Sequence, residues 1–289
     1  MQIWGKLLTA IGIAFVGLSV FAAIKKPSTV YDNIPTAKNP MEGKRVRFVE
    51  DETEPENADG VRGHLEVISE SYYKRSFYDR VVKRILDIIL SFFGLLILSP
   101  LYFVLCVAVY IDDPGPVLFK QKRVGLHKKY FSLHKFRSMK MSTPHDVPTH
   151  MLDNPEQYIT RVGKILRKFS LDELPQIVDI FIGNMSIIGP RPALWNQDVL
   201  TAERDKYGAN DVLPGLTGWA QVNGRDELEI DEKAKYDGEY CRNLSFKMDA
   251  TCFLMTIVNV LKGKGVVEGG TGTITKHLEK CEEEIEAKK

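Results

Sequence analysis

The residues of this chain whose types and spacing suit chemistry stand together in Phe169–Pro192, FSLDELPQIVDIFIGNMSIIGPRP. Two adjacent carboxylates, Asp172 and Glu173, open an apolar run, and the Gly-Pro-Arg-Pro turn that follows can hold Arg191 rigidly. A carboxylate can serve as a nucleophile, and a guanidinium fork can bind phosphate oxygens in pairs. Pro175 locates the helix that carries the acids, because proline has no N–H and is tolerated only in a first turn. The helix is therefore predicted to start near Asp172. Leu174, Ile177, Val178, Phe181 and Ile182 form its apolar stripe, and it stops at Gly183-Asn184. Spacing alone favours Asp172 as an N-cap over a nucleophile. As a cap, however, Asp172 would have Pro175 as its third helical residue, which has no N–H to donate. Ser170 is the alternative cap, with Glu173 completing a Ser-x-x-Glu box. In both versions Asp172 sits at a helix N-terminus, where the dipole keeps a carboxylate ionised and free amides can receive phosphate.

The elements that must position this stretch begin with two uncharged apolar runs. Leu7–Ile24 has eighteen residues without a charge, a transmembrane candidate with Lys25 and Lys26 directly after it. Further cations at Lys38, Lys44, Arg45 and Arg47 place the following chain on the cytoplasmic side. A cleaved signal peptide ending near Ala22-Ala23 is the competing reading, and it conflicts with a reduced, cytoplasmic remainder. Residues 27–75 have linker composition, polar, proline-punctuated and acidic in their second half. Ser76–Leu86 reads as a helix with Arg80, Lys83 and Arg84 at the level of lipid headgroups.

The second run, Ile88–Ile111, has twenty-four uncharged residues interrupted at Ser99-Pro100. Its length suits a transmembrane helix, but proline frees the carbonyl four residues back, and Ser99 can satisfy exposed backbone groups. A helix bent at its middle enters and leaves by the same face. That keeps Lys83 and Arg84 on the same side as the cations of residues 120–140, as the positive-inside tendency prefers.

Beyond the Asp112–Pro116 turn, Val117–Val124 and Tyr130–Arg137 read as a β-hairpin around Gly125-Leu126-His127, with Lys135 and Arg137 at its end. Ile159–Lys168 reads as a short amphipathic helix and Trp195–Tyr207 as a helix of mixed surface. Leu213–Arg225 is a glycine-dense segment whose backbone can approach a ligand closely. Glu229–Cys241 reads as a charged helix, Phe246–Leu261 as an apolar one with Asp249 near its start, and 271–289 as a solvated tail. Between Ser71 and Lys140 thirteen Lys or Arg face four acids, a basic block beside an apolar run that suggests anionic lipid or phosphate. No nucleic-acid motif accompanies it, so no nucleic-acid partner is expected. The four cysteines, Cys106, Cys241, Cys252 and Cys281, lack metal spacing and the histidines do not cluster with them, so no zinc site is expected.

Taken in order, Lys-Arg-Ile-Leu-Asp before the Ser-Pro-interrupted helix, Lys-Phe-Arg-Ser-Met, Ser-Leu-Asp-Glu-Leu-Pro-Gln, Gly-Asn-Met-Ser-Ile-Ile-Gly-Pro-Arg-Pro, Pro-Gly-Leu-Thr-Gly-Trp-Ala-Gln-Val-Asn-Gly-Arg and Ser-Phe-Lys-Met-Asp resemble the bacterial sugar transferase family. These are the monotopic polyprenyl-phosphate phosphoglycosyl transferases, and the likeness runs over Tyr78–Gly269. The resemblance implies catalysis by Asp172 and Glu173, with Asp172 attacking the sugar-bearing phosphate of a UDP-sugar, UMP leaving, and polyprenyl phosphate taking the phosphosugar. It implies Mg2+ as cofactor near Asp172 and Glu173, and Lys135, Arg191, Arg225 and Asp249 as substrate-binding and site-organising residues. The Ser99-Pro100 break resembles the family's re-entrant membrane hairpin.

The expected protein is a mostly helical α+β membrane enzyme on the cytoplasmic face of the bacterial inner membrane. Its parts are an N-terminal transmembrane helix (1–26), a polar linker (27–75), a catalytic domain (76–270, with the re-entrant helix at 88–111) and a tail (271–289). It would start an exopolysaccharide or related glycan on a lipid carrier, and a homo-oligomer is compatible with this reading. Two alternatives remain: a lipid-acceptor glycosyltransferase releasing UDP, and a catalytically silent membrane scaffold.

Overall fold

The structure, a computed structural model, describes residues 38–71, 75–143, 155–224 and 228–261. The expected N-terminal transmembrane helix, the tail from 271 and Arg225 lie outside the described residues.

The fold mixes helices and strands around one long helix, α1 (Lys83–Asp112), which a π turn at Tyr78–Val82 leads into. At 30 residues it rises about 45 Å, and it is long and apolar enough to cross a membrane. Protein covers one stripe of it, Lys83, Asp87, Ser91, Leu95, Ser99, Tyr102, Leu105 and Val109, at steps of three and four residues. Phe92, Phe93, Ile97, Val104, Tyr110 and Ile111 on the remaining surface are exposed, an apolar area that water alone would not favour. Expected as a break, the Ser99-Pro100 pair lies inside a continuous helix. Pro100 has no N–H for the Leu96 carbonyl, and the Ser99 hydroxyl donates to that carbonyl instead at 2.8 Å, so the freed acceptor is satisfied and the helix continues.

The stripe packs into a core with Phe136 and Leu166, flanked by Leu174, Ile177 and Phe181. Both ends of α1 are tied to the same body. Lys83 pairs with Asp249 at 2.6 Å, and Arg84 donates to the carbonyls of Ile180 and Phe181 at 2.6 and 2.7 Å. At the far end Asp112 accepts from the Val162 amide at 2.8 Å, and Asp113 pairs with Arg137 at 3.0 Å.

The expected hairpin is formed by β3 (Leu118–Val124) and β4 (Tyr130–Phe136), antiparallel, with Phe119 opposite Lys135. Next come α2 (Arg161–Lys168), which Thr160 caps by accepting from the Gly163 amide, α3 (Gln176–Ile182), β5 (Ser186–Ile188) and α4 (Asp198–Asp205). The chain then forms β6 (Gly215–Thr217), parallel to β5, α5 (Trp219–Asn223), α6 (Ile230–Arg242) and α7 (Phe246–Leu261).

The stretch read as a polar linker contains two strands, β1 (Lys44–Glu50) and β2 (Gly63–Glu70), paired antiparallel and docked on α4. Several of its polar groups bind the body behind it. Arg45 pairs with the fully buried Asp211 at 2.7 Å, and the Val46 amide donates to Asp205 at 2.8 Å. Lys128, itself fully buried, binds both Asp205 oxygens at 2.9 and 3.0 Å. Each partner lies far away in sequence, so composition alone registers only polarity.

Candidate active site

The acid pair is presented differently from the helix start that proline placement suggests. Leu171–Glu173 form a single 3-10 turn, α3 begins only at Gln176, and Pro175 occupies its cap position. Neither Asp172 nor Ser170 caps a helix through its side chain. Ser170 adopts a left-handed conformation (φ 52°), which costs an L-residue on the order of 1 kcal/mol and turns the chain sharply between α2 and the acids. The Tyr102 hydroxyl of α1 donates to the Leu174 carbonyl, fixing this turn to the long helix.

Glu173 is the hub. Lys135 Nζ lies 3.0 Å and Arg191 Nη2 2.7 Å from its Oε1, while Arg191 Nη1 is 3.5 Å from Oε2. Lys135 is set in place by its neighbour in β4: the backbone N–H and Nδ1 of His134 both engage the buried Asp179 of α3, at 2.9 and 2.8 Å. The strand is thereby pinned to the helix behind the acids.

Arg191 is held by its turn. The Gly189 amide donates to Thr217, the Gly215 amide to Pro190 and the Ser186 amide to Pro214, each at 2.8 Å, which lays the Gly-Pro-Arg-Pro turn along β6. A Cβ on Gly189 would sit 2.4 Å from the Leu213 carbonyl, and one on Gly218 would sit 2.0 Å from that of Gly189. In its described part, the glycine-dense segment thus brings two backbones together.

Arg123, which the sequence reading did not single out, completes the cluster. It donates to the Pro192 carbonyl at 2.9 Å and to Gln121 at 3.1 and 2.7 Å. Strand alternation was its only signal, and the inward face of a hairpin is legible only once the partner element is known. Arg137, two residues after Lys135, is instead spent on Asp113.

Electrostatics separates the two acids. Burial pushes the Asp172 carboxyl up, Lys135 and Arg167 oppose this, and Glu173 reinforces it. Among the described residues Asp172 makes no side-chain ion pair. Burial would also raise Glu173, but Arg191 and Lys135 outweigh it and hold that carboxyl well below the usual range. Burial, with Arg191 and Arg123 adding to it, lowers Lys135 against the pull of Glu173. Arg123 is pushed by burial and by Arg191 down to about 9, which still leaves it cationic at neutral pH. Three cations thus surround two carboxylates, and the site has a surplus of positive charge for an incoming anion.

The donor set fits a magnesium ion. Hard oxygens are what Mg2+ takes, usually one or two carboxylates completed by substrate phosphates and water. Among the described residues no cation forms an ion pair with Asp172, and the contact of Glu173 Oε2 to Arg191 is long, at 3.5 Å. Asp249 is placed elsewhere: its carboxylate accepts from Tyr78 at 2.8 Å, Lys83 at 2.6 Å and Tyr240 at 2.7 Å, joining α7 to the start of α1.

Residues 78–263, which include every residue of this cluster, match the family model described as Bacterial sugar transferase. The chain is 36% identical over 186 residues to "Uncharacterized sugar transferase EpsL" of Bacillus subtilis, covering 64% of this chain and 90% of that protein. It is 38% identical over 186 residues to "UDP-glucose:undecaprenyl-phosphate glucose-1-phosphate transferase" of Escherichia coli, covering 62% of this chain and 40% of the relative. A protein of the same name from Xanthomonas campestris is 39% identical over 197 residues, covering 66% and 41%. The matched region therefore spans less than half the length of the two relatives named for an activity.

Proposed function

The chain belongs to the bacterial sugar transferase family, and from that premise we propose that it transfers a sugar 1-phosphate from a UDP-sugar to a polyprenyl phosphate and releases UMP. The observation that carries this reading is the division of labour in the acid pair: Glu173 is tied up by Lys135 and Arg191, while Asp172 beside it forms no ion pair among the described residues. An Asp172 oxygen attacks the sugar-bearing phosphorus, the bond from that phosphorus to the bridging oxygen breaks, and UMP leaves with the electron pair. The phosphosugar is then held on Asp172 as an acyl phosphate. An oxygen of polyprenyl phosphate attacks the same phosphorus, regenerating the carboxylate and giving the polyprenyl diphosphate sugar.

Lys135, Arg191 and Arg123 supply the positive field for the phosphates, and Glu173 fixes the first two in place. Asp172 and Glu173 would hold a magnesium ion, which would screen the negative charge that a carboxylate must approach. Arg225, at the end of the glycine-dense motif, is assigned to substrate binding and Asp249 to organising the site through α1.

Topology follows from the substrates. A nucleotide sugar is cytoplasmic and the acceptor phosphate lies at the headgroups, so the site faces the cytoplasm at the inner membrane, with α1 dipping into the bilayer from that side. One feature supports this: charged residues at both ends of α1 are bound to one body. Product analysis tests the reading. With polyprenyl phosphate and a panel of UDP-sugars, the purified protein releases UMP; release of UDP would assign it to glycosyltransferases, and no turnover of any sugar would leave the scaffold reading.

A further inference from the structure

Residues 38–71 precede the part of the chain that matches the family, 78–263, yet their hairpin reaches the segment that leaves the active site. The turn between β1 and β2 is shaped by Asn57, whose Oδ1 accepts from the amides of Asp59 and Val61 at 2.9 and 3.2 Å. At its tip the Ala58 amide donates to the Asn196 carbonyl at 3.0 Å. Asp59 Oδ2 accepts from the amides of Val199 and Leu200 at 2.9 and 3.2 Å, so an acid from the hairpin caps α4 in place of a local residue. Gln197 lies beside Asp59, where it favours the ionised carboxylate, and its side-chain oxygen accepts from the Leu194 amide at 2.8 Å. The other end of the hairpin grips the C-terminal end of α4, through Arg45 and the Val46 amide to Asp205. The hairpin is thus fastened along the whole of α4.

Between Arg191 and this contact lie only a few residues. On their inner side β3 holds them, with the Val124 amide donating to Ala193 at 3.0 Å and Arg123 to Pro192 at 2.9 Å. The 191–200 segment is therefore gripped from two sides, and the hairpin supplies one of the grips.

We propose that the 38–71 hairpin is a clamp for the transfer reaction, in which Asp59 is a positioning residue that fixes the 191–200 segment through the start of α4 and so holds Arg191 over Glu173. This rests on the reading of Arg191 as a phosphate-binding residue. A hairpin that only adds stability would lower the melting temperature when loosened and leave the affinity of the folded protein for nucleotide unchanged. A clamp changes that affinity.

The test uses the full chain in nanodiscs, with UMP as the binding probe and the UDP-sugar turned over fastest in a screen as substrate. Asp59→Ala is expected to raise KM several-fold to about tenfold, the range that loss of a helix cap can transmit, with kcat within about twofold and UMP affinity weakened by the same factor as KM. Amide exchange in 191–200 becomes faster. Asp59→Asn, which keeps an acceptor at the cap, stays near wild type in all three measurements. Should Asp59→Ala not yield folded protein, Gln197→Ala loosens the same segment by removing the Leu194 contact and the polar neighbour of Asp59, and is expected to show the same pattern. A folded Asp59→Ala or Gln197→Ala with wild-type UMP affinity and wild-type exchange in 191–200 would overturn the clamp, as would an Asp59→Asn as impaired as Asp59→Ala. Because UMP binding and exchange do not depend on turnover, a wild-type protein that released no UMP would refute the assigned reaction while these two measurements still judged the clamp.

Discussion

Replacing Arg191 by lysine keeps the charge and removes the fork, and the geometry says what that loses. The guanidinium meets Glu173 with one short bond of 2.7 Å and a second contact of 3.5 Å, an arrangement only a planar fork can make. A lysine ammonium can keep the short bond to Oε1 or bind a substrate phosphate, but it cannot do both across a planar fork. A hydrogen bond to a charged group contributes about 1.5–3 kcal/mol. The Arg191 side chain is 31% exposed, and solvent screening reduces the difference to about 1–2 kcal/mol. That corresponds to a loss in kcat/KM of roughly 5- to 30-fold. Arg191→Ala, which also removes the charge, is expected to lose more than Arg191→Lys. The assay is initial-rate UMP release at pH 7 in nanodiscs, with Glu173→Gln as the partner variant. Arg191→Lys combined with Glu173→Gln should lose less than the product of the two single effects, because both break one contact. Arg191→Lys within twofold of wild type would refute the fork argument and reduce Arg191 to a turn residue.

Other outcomes follow from the same geometry. Burial, with the charge of Asp59 adding to it, pushes the Asp198 carboxyl up to about 6. The folded protein therefore binds this proton more tightly than the unfolded chain, and stability falls as pH rises from the ordinary 3.8 through 6. Asp198→Asn should gain roughly 1–2 kcal/mol at pH 7 after allowance for its partial exposure and flatten that slope, and a denaturation series without either change would contradict the assignment. Lys128→Met strands the buried Asp205 with fewer partners and should cost about 2–4 kcal/mol, the lower end because Arg45, Asn210 and the Val46 amide remain; an unchanged melting temperature would show the pair to be neutral. For topology, single cysteines at Arg80 and Lys129, both exposed, should be shielded from an impermeant thiol reagent in intact cells and labelled after lysis; labelling of only one in intact cells would mean that α1 crosses the bilayer.

Much of the fold was legible because it is written in local chemistry. The β3–β4 hairpin follows from alternation around Gly125, α7 from an uninterrupted apolar period over Phe246–Leu261, and the end of α3 from Gly183, which takes the left-handed φ of 96° that favours glycine. The start of α3 was misplaced because proline tolerance fixes only an upper limit on depth. A left-handed Ser170 and a 3-10 turn absorb the residues that a longer helix would have used. The 38–71 hairpin was missed because Arg45, Asp59 and Val46 take their partners from residues more than a hundred positions away. In the site, Glu173 and Arg191 were legible as a pair, since a rigid turn follows the acid helix closely. Arg123 was not, because Lys122 and Arg123 are equivalent in composition and differ only in which face of the hairpin they occupy.

The central claim is that Asp172 carries the phosphosugar. It is tested most directly by incubating the protein with its UDP-sugar and magnesium in the absence of polyprenyl phosphate, quenching, and mapping peptides by mass spectrometry. The account predicts a sugar-phosphate adduct on Asp172, UMP released in an amount equal to the enzyme, discharge of the adduct when polyprenyl phosphate is added, and neither adduct nor UMP from Asp172→Asn. An adduct on another residue, or wild-type turnover by Asp172→Asn, would contradict it.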